Sequence, residues 1–147
     1  MITVIDYGMG NLGSVLNMFK KIGVESKLSS NLNEIGEAKK LLLPGVGSFD
    51  NAMSKINELG LKDVLNYKAL EEQIPILGIC LGMQLMTNKS EEGSQDGFGW
   101  INATTKKFDF EKESKLKIPH MGWNKTLISN NNRLITDIDL DSKFYFV

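Results

Sequence analysis

The chain has 147 residues, of which 41% are hydrophobic and 24% charged, and its net charge is −1. These values fit one soluble globular domain over residues 1–147 with room for a core, and they provide no basic footprint for nucleic acid or a membrane surface. One cysteine and one histidine exclude an intrachain disulfide and leave no zinc-ligand set, so no metal is expected. Low cysteine usage fits a reducing, cytoplasmic compartment, and no signal peptide or membrane-length apolar run is visible.

Ile2–Asp6 is a short β-branched run that stops at Gly8-Met9-Gly10. Leu12, Val15, Leu16, Phe19 and Ile22 then fall on one helical face, with Gly23 placed as a C-terminal cap. Val24–Leu28 reads as a second strand, which makes the opening a right-handed βαβ unit. Ser29–Gly36 is polar and reads as a turn with a short helix. Lys40–Leu43 is a continuous apolar run ended by Pro44, the pattern of a central parallel strand covered on both faces. Phe49, Met53, Ile56 and Leu59 form a second helical stripe, and Leu61, Val64, Leu65 and Ala69 a third that runs to Gln73. Ile74–Leu77 is the next strand, followed by Gly78-Ile79-Cys80-Leu81-Gly82 and a helix-compatible segment.

After Lys89 the texture changes. Glu91–Gly99 is glycine-rich, and Trp100–Phe110 mixes β-formers with lysine. Pro119–Asn124 reads as a compact loop between strands, Asn130–Asn132 as a turn, and Lys143–Val147 as a strand. The predicted fold is α/β, a mostly parallel central sheet flanked by helices with a more β-rich second half. An apolar strand residue at the chain end predicts that a C-terminal part is missing, because termini are usually polar and loosely held.

Three motifs carry chemistry. Gly-x-Cys-x-Gly between a strand and a helix is a nucleophile elbow with cysteine in place of serine; the alternative for Cys80 is a small buried hydrophobe. Pro44-Gly45-Val46-Gly47 sits at a neighbouring strand tip. Its backbone N–H groups, with that of Leu81, can face a developing negative charge as an oxyanion hole does. Gly8-Met9-Gly10-Asn11-Leu12-Gly13 matches the dinucleotide fingerprint G-x-G-x-x-G. However, no acidic residue follows Leu28 to hold a ribose, which leaves a tight turn or a partner contact as the other readings. His120 is the only candidate base for Cys80, yet its Pro-His-Met-Gly-Trp-Asn setting suits a recognition loop. Trp123 is either an interface anchor or ordinary core.

Gly78–Gln84 resembles the nucleophile signature of the class I (triad) glutamine amidotransferases. Pro44–Phe49, Pro119–Asn124 and Asp6–Asn11 narrow the resemblance to the family of glutaminase subunits of imidazole glycerol phosphate synthase. It runs from residue 2 to the chain end, with four motifs in order. It implies a flavodoxin-like core and no cofactor. Glutamine is the implied substrate, Cys80 the nucleophile, and the Val46 and Leu81 N–H groups the oxyanion donors. Gly47 and Gln84 match glutamine-binding positions. The implied partner is a (β/α)₈-barrel cyclase subunit in a heterodimer, met by Gly10 and Asn11 on one turn and by Met121, Trp123 and Asn124 on another.

The family's catalytic His and Glu belong to a motif beyond Val147, and His120 matches a non-catalytic position. The expectation is therefore that residues 1–147 alone lack appreciable glutaminase turnover. Three alternatives stand beside this reading. One is a paralogous glutaminase supplying ammonia for amidation of a surface-glycan sugar. The others are an NAD(P)-binding oxidoreductase built on Gly8–Gly13, and a non-catalytic binding subunit.

Overall fold

In the first of two compact units, Met1–Lys107, β1 (Ile2–Ile5), β2 (Ser26–Ser29), β3 (Leu41–Leu43) and β4 (Ile76–Gly78) form a four-stranded sheet in the order β2-β1-β3-β4. The computed structural model describes residues 1–110, 116–128, 134–135, 138–139 and 141–146. The turn expected at Asn130–Asn132, and Val147 of the last expected strand, lie outside the described residues. All neighbouring pairs of the sheet are parallel, and the order is that of a flavodoxin-like core. The expected fold class is the one observed.

The interior position of β3 explains its composition. Successive strand residues face opposite sides, and Leu41, Leu42 and Leu43 are all buried. Only an apolar run survives between two covered faces. β4 pairs with β3 on one edge, and among the described residues no named strand pairs with the other; Leu77 and Ile79 are exposed there.

Helices connect the strands. α1 (Leu12–Lys21) begins at Asn11, whose side chain accepts the Ser14 N–H at 3.3 Å, an N-cap bond. Gly23 follows with φ +71° and donates to the Lys20 carbonyl. Leu12, Val15, Leu16 and Phe19 share one half-buried face, whereas Ile22, expected in that stripe, is exposed. α2 (Leu32–Glu37) is capped by Asn31. α3 (Phe49–Glu58) buries Phe49, Ala52, Met53 and Ile56 against the sheet, while Leu59 at its end is exposed.

The helix expected from Leu61 to Gln73 divides. α4 covers Leu61–Asn66, and Tyr67–Glu71 is a π-helical turn. The cause is Lys68, which is fully buried and donates to the Gly36 carbonyl at 2.8 Å and to Glu72 at 2.6 Å. A buried ammonium needs such partners, and the local rewinding lets its side chain reach both.

α5 is only Leu81–Leu85, and the chain returns at once as β5 (Thr87–Ser90), which pairs in parallel with β6 (Ile101–Thr105). β5 is absent from the sequence reading because Thr-Asn-Lys-Ser carries no apolar alternation. Among the described residues no helix is long and apolar enough to cross a membrane.

In the second unit, Phe108–Val147, β7 (Gly122–Lys125) and β8 (Lys143–Phe146) pair antiparallel, with Trp123 opposite Tyr145 and Asn124 opposite Phe144. The loop expected over Pro119–Asn124 therefore ends at Met121, and Gly122–Asn124 belong to a strand. Cross-strand aromatic pairing of Trp123 with Tyr145, centroids 5.5 Å apart, is the contact that draws them into the ladder.

Candidate active site

Three strand ends meet at one edge of the parallel sheet: the Gly8–Asn11 turn after β1, Pro44–Ser48 after β3, and Cys80 after β4. In a 2-1-3-4 order the ligand crevice opens between the first and third strands. Here that crevice is occupied by protein. The Tyr7 hydroxyl donates across it to the Pro44 carbonyl at 2.7 Å. A Cβ on Gly10 would stand 3.6 Å from Pro44 Cβ, and one on Gly47 would stand 2.9 Å from Met9 Cε. The next position is one strand further on, between the tips of β3 and β4.

Cys80 occupies that position. It is exposed, so the buried-hydrophobe alternative is excluded, and its backbone sits at φ 54°, ψ −120°. Those are the dihedrals of the first central residue of a type II′ turn, a place that glycine normally takes. The turn runs Ile79–Gly82 and is closed by the Gly82 N–H on the Ile79 carbonyl at 3.0 Å. β3 holds its near end, because the Ile79 N–H donates to the Leu43 carbonyl at 3.1 Å.

The flanking glycines answer to contact rather than conformation. A Cβ on Gly82 would lie 1.9 Å from the Leu43 carbonyl oxygen, and one on Gly78 would lie 2.7 Å from Met83 N and Cα. The elbow is thus pressed between β3 and its own helix. α5 has five residues, so its dipole is correspondingly short.

The other residues predicted around Cys80 take these places. Leu81 is buried at the first position of α5, where its N–H has no acceptor within the helix. Val46 and Gly47 are exposed, and among the described residues neither N–H donates to another backbone group. Gln84 is half-buried on α5. Gly10 and Asn11 lie on the adjoining turn. Met121, Trp123 and Asn124 belong to the second unit, where Met121 and Trp123 are 58% and 67% exposed, so Trp123 is not a core residue. His120 lies in the same unit. Its Nε2 is 3.1 Å from Asn124 Nδ2, and its ring lies against Phe146 and Phe108.

Two residues at this edge were not singled out from sequence. Tyr7 is fully buried, and burial, with charge on Cys80 as the lesser cause, pushes its phenol up to about 12. Asp50, in the first turn of α3, accepts from the Ser94 and Gln95 N–H groups at 2.9–3.0 Å and from the Ser94 hydroxyl. Those N–H groups, Ser94 first, hold its carboxyl below the ordinary carboxylate value. Asp50 thereby ties the helix that follows Pro44–Ser48 to the 91–99 loop.

The dinucleotide reading finds little support in this geometry. A Cβ on Gly13 would meet nothing within 4 Å, so the third glycine of the fingerprint serves no helix–strand packing. At the end of β2, Ser29 Oγ is engaged by the Asn31 N–H. Among the described residues no group of three or more His, Cys, Asp or Glu side chains is placed to hold a metal ion.

Comparison with known proteins agrees with this arrangement. The family model "Glutamine amidotransferase class-I" matches residues 3–145. A Methanococcus maripaludis protein named "Imidazole glycerol phosphate synthase subunit HisH 2" is 53% identical over all of this chain and 72% of its own length. A Pseudomonas aeruginosa protein of the same name is 44% identical over the same shares. A solved structure described as "Crystal structure of glutamine amidotransferase" superposes with a TM-score of 0.65 at 18% identity, covering 85% of this chain and 64% of that one, which speaks to the fold alone. The chain belongs to the class-I glutamine amidotransferase family.

Proposed function

We propose that this chain provides the glutaminase of an imidazole glycerol phosphate synthase, releasing ammonia from glutamine for histidine biosynthesis. The observation that carries the reading is the exposed Cys80 on a strained elbow beside the Val46 and Gly47 N–H groups, which among the described residues donate to no other backbone group. It stands in a chain 53% identical over its full length to a protein of that name.

The chemistry is acyl transfer. The Cys80 thiolate adds to the side-chain amide carbon of glutamine, and the Val46 and Leu81 N–H groups hold the oxyanion that forms. The C–N bond then breaks, the nitrogen leaves as ammonia with a proton, and a thioester remains on Sγ. Water cleaves the thioester to glutamate and restores the thiol. Gly47 and Gln84 hold the glutamine. The ammonia passes to a (β/α)₈-barrel cyclase subunit, for which the proposed contact residues are Gly10 and Asn11 in the first unit and the exposed Met121, Trp123 and Asn124 in the second. Large exposed aromatics are the side chains that anchor such interfaces.

Proton transfer needs a base, and among the described residues His120 is engaged with Asn124 rather than with a carboxylate. Residues 1–147 by themselves accordingly have no appreciable turnover. The test is glutamate release by the subunit with its cyclase partner. Cys80→Ala is expected to lower kcat by roughly 10³-fold or more. Retained turnover in that variant overturns the assignment of Cys80, and ordinary turnover by residues 1–147 alone overturns their predicted inactivity.

A further inference from the structure

Tyr7 is a buried titratable group that the reaction above does not use. It is the last residue before the Gly8–Asn11 turn and is fully buried. Its hydroxyl reaches a main-chain carbonyl 37 residues away, that of Pro44. The space around the hydroxyl is full. A Cβ on Gly45 would come within 2.5 Å of the phenolic oxygen and within 3.0 Å of both Gly82 N and Leu81 Cβ. The phenol, the Gly45 backbone and the first turn of α5 are therefore packed with nothing between them.

The consequence lies in the backbone. A trans peptide keeps its C=O and N–H antiparallel, and the Pro44–Gly45 bond is trans. Pinning the Pro44 carbonyl therefore fixes that whole plane and points the Gly45 N–H away from Tyr7. The next plane, Gly45–Val46, carries the Val46 N–H. Among the described residues that N–H donates to no other backbone group, and Val46 is exposed.

We propose that Tyr7 is a positioning residue for the turn at the tip of β3, its hydroxyl bond to Pro44 fixing the peptide plane that precedes the one carrying the Val46 N–H. The inference rests on the Val46 N–H being an oxyanion donor, as proposed above. A neutral phenol suits the task. With its ionisation pushed to about 12, it donates over the whole physiological pH range, and it does so without placing a charge beneath Cys80.

The test compares two reagents for Cys80 in the full chain. The chloroketone analogue of glutamine is first attacked at its carbonyl, forming an oxyanion, and the sulfur then displaces chloride from the adjacent methylene carbon to leave a thioether. Iodoacetamide reacts by displacement of iodide at carbon and forms none. In the wild-type protein the chloroketone rate, divided by the iodoacetamide rate, should exceed the same ratio for free cysteine. Tyr7→Phe keeps the ring and removes the bond. It should slow the chloroketone about tenfold and leave iodoacetamide within about twofold, the scale of one lost hydrogen bond at the turn alone. The iodoacetamide rate doubles as the check that the elbow is still folded. An equal loss with both reagents, or no loss with either, overturns the positioning role while leaving the oxyanion reading in place. A wild-type ratio no greater than that of free cysteine overturns the oxyanion reading itself, and this inference with it.

Discussion

Replacing Cys80 by glycine should stabilise the protein relative to replacing it by alanine. At φ 54°, ψ −120° a side-chain-bearing residue is held in a region that costs about 1–3 kcal/mol, and glycine relieves that cost. Glycine also gains more freedom in the unfolded chain, which returns about 0.4–1 kcal/mol in the opposite sense. The balance favours glycine by about 0.5–2 kcal/mol. Neither substitution leaves an unsatisfied polar group, because the thiol is exposed and the turn's hydrogen bonds are all main-chain. Urea denaturation of the two variants, followed by tryptophan fluorescence, measures the difference directly. At an ordinary strand or helix position the order is reversed, alanine being better by about 0.5–1 kcal/mol. A glycine variant no more stable than the alanine variant would show that the elbow is unstrained and that the type II′ account of it is wrong.

Gly82→Ala should be among the most damaging single changes in the chain. Its Cβ would stand 1.9 Å from the Leu43 oxygen where an ordinary carbon–oxygen contact is about 3.3 Å, so α5 or β3 must move by more than about 1 Å. A cost of about 3 kcal/mol or more follows, and an unfolding midpoint within error of wild type would contradict it. Tyr7 predicts an alkaline signature. Below pH ~10 both folded and unfolded states keep the phenol proton. As the pH rises from there to about 12, the unfolded chain loses it first, and stability falls by at most about 1.4 kcal/mol per pH unit. Tyr7→Phe should lack that fall, so parallel curves for the two proteins would refute the assignment. Asp50 predicts the acid counterpart. Its lowered carboxyl contributes stability above the ordinary carboxylate value, and that contribution disappears as the pH falls through the folded-state value. Asp50→Asn should be less stable than wild type at neutral pH, and its unfolding midpoint should change less between pH 5 and pH 2. A steeper acid dependence in the variant would count against the Ser94–Gln95 tether.

The features legible in the sequence are those with a local cause. The unbroken Leu41–Leu43 run announces a strand covered on both faces, and the stripe of Leu12, Val15, Leu16 and Phe19 announces one helical face. The glycines at 78 and 82 mark a turn even before their neighbours are known. What stayed hidden depends on partners far along the chain. Tyr7 meets Pro44, Asp50 meets Ser94 and Gln95, and Lys68 meets Gly36. None of these pairings leaves a periodicity behind. The π-helical turn at Tyr67–Glu71 belongs to the same class, because it exists to satisfy one buried ammonium. β5 was hidden for a different reason: Thr87 and Ser90 are buried although polar, and the Thr87 hydroxyl is bound to the Gln84 carbonyl at 2.7 Å, so hydrogen bonding rather than hydrophobicity places the strand.

The elbow itself shows how a strained cysteine is kept in position without a strong helix to hold it. Five residues are too few for α5 to be stable on its own, so its helicity is a consequence of where Leu81 and Leu85 are buried. Those two side chains anchor the far side of the turn in the core, and the Ile79 N–H on Leu43 anchors the near side to β3. With both ends fixed, the chain can pass from one to the other only through a tight turn at residue 80, and the cost of positive φ there is offset by burial on both sides. The same contacts place the Leu81 N–H beside the tip of β3. The position of the thiol and the position of the Leu81 N–H are therefore one structural fact, fixed by the approach of β3 to Gly82. A substitution that separates them must first open the sheet.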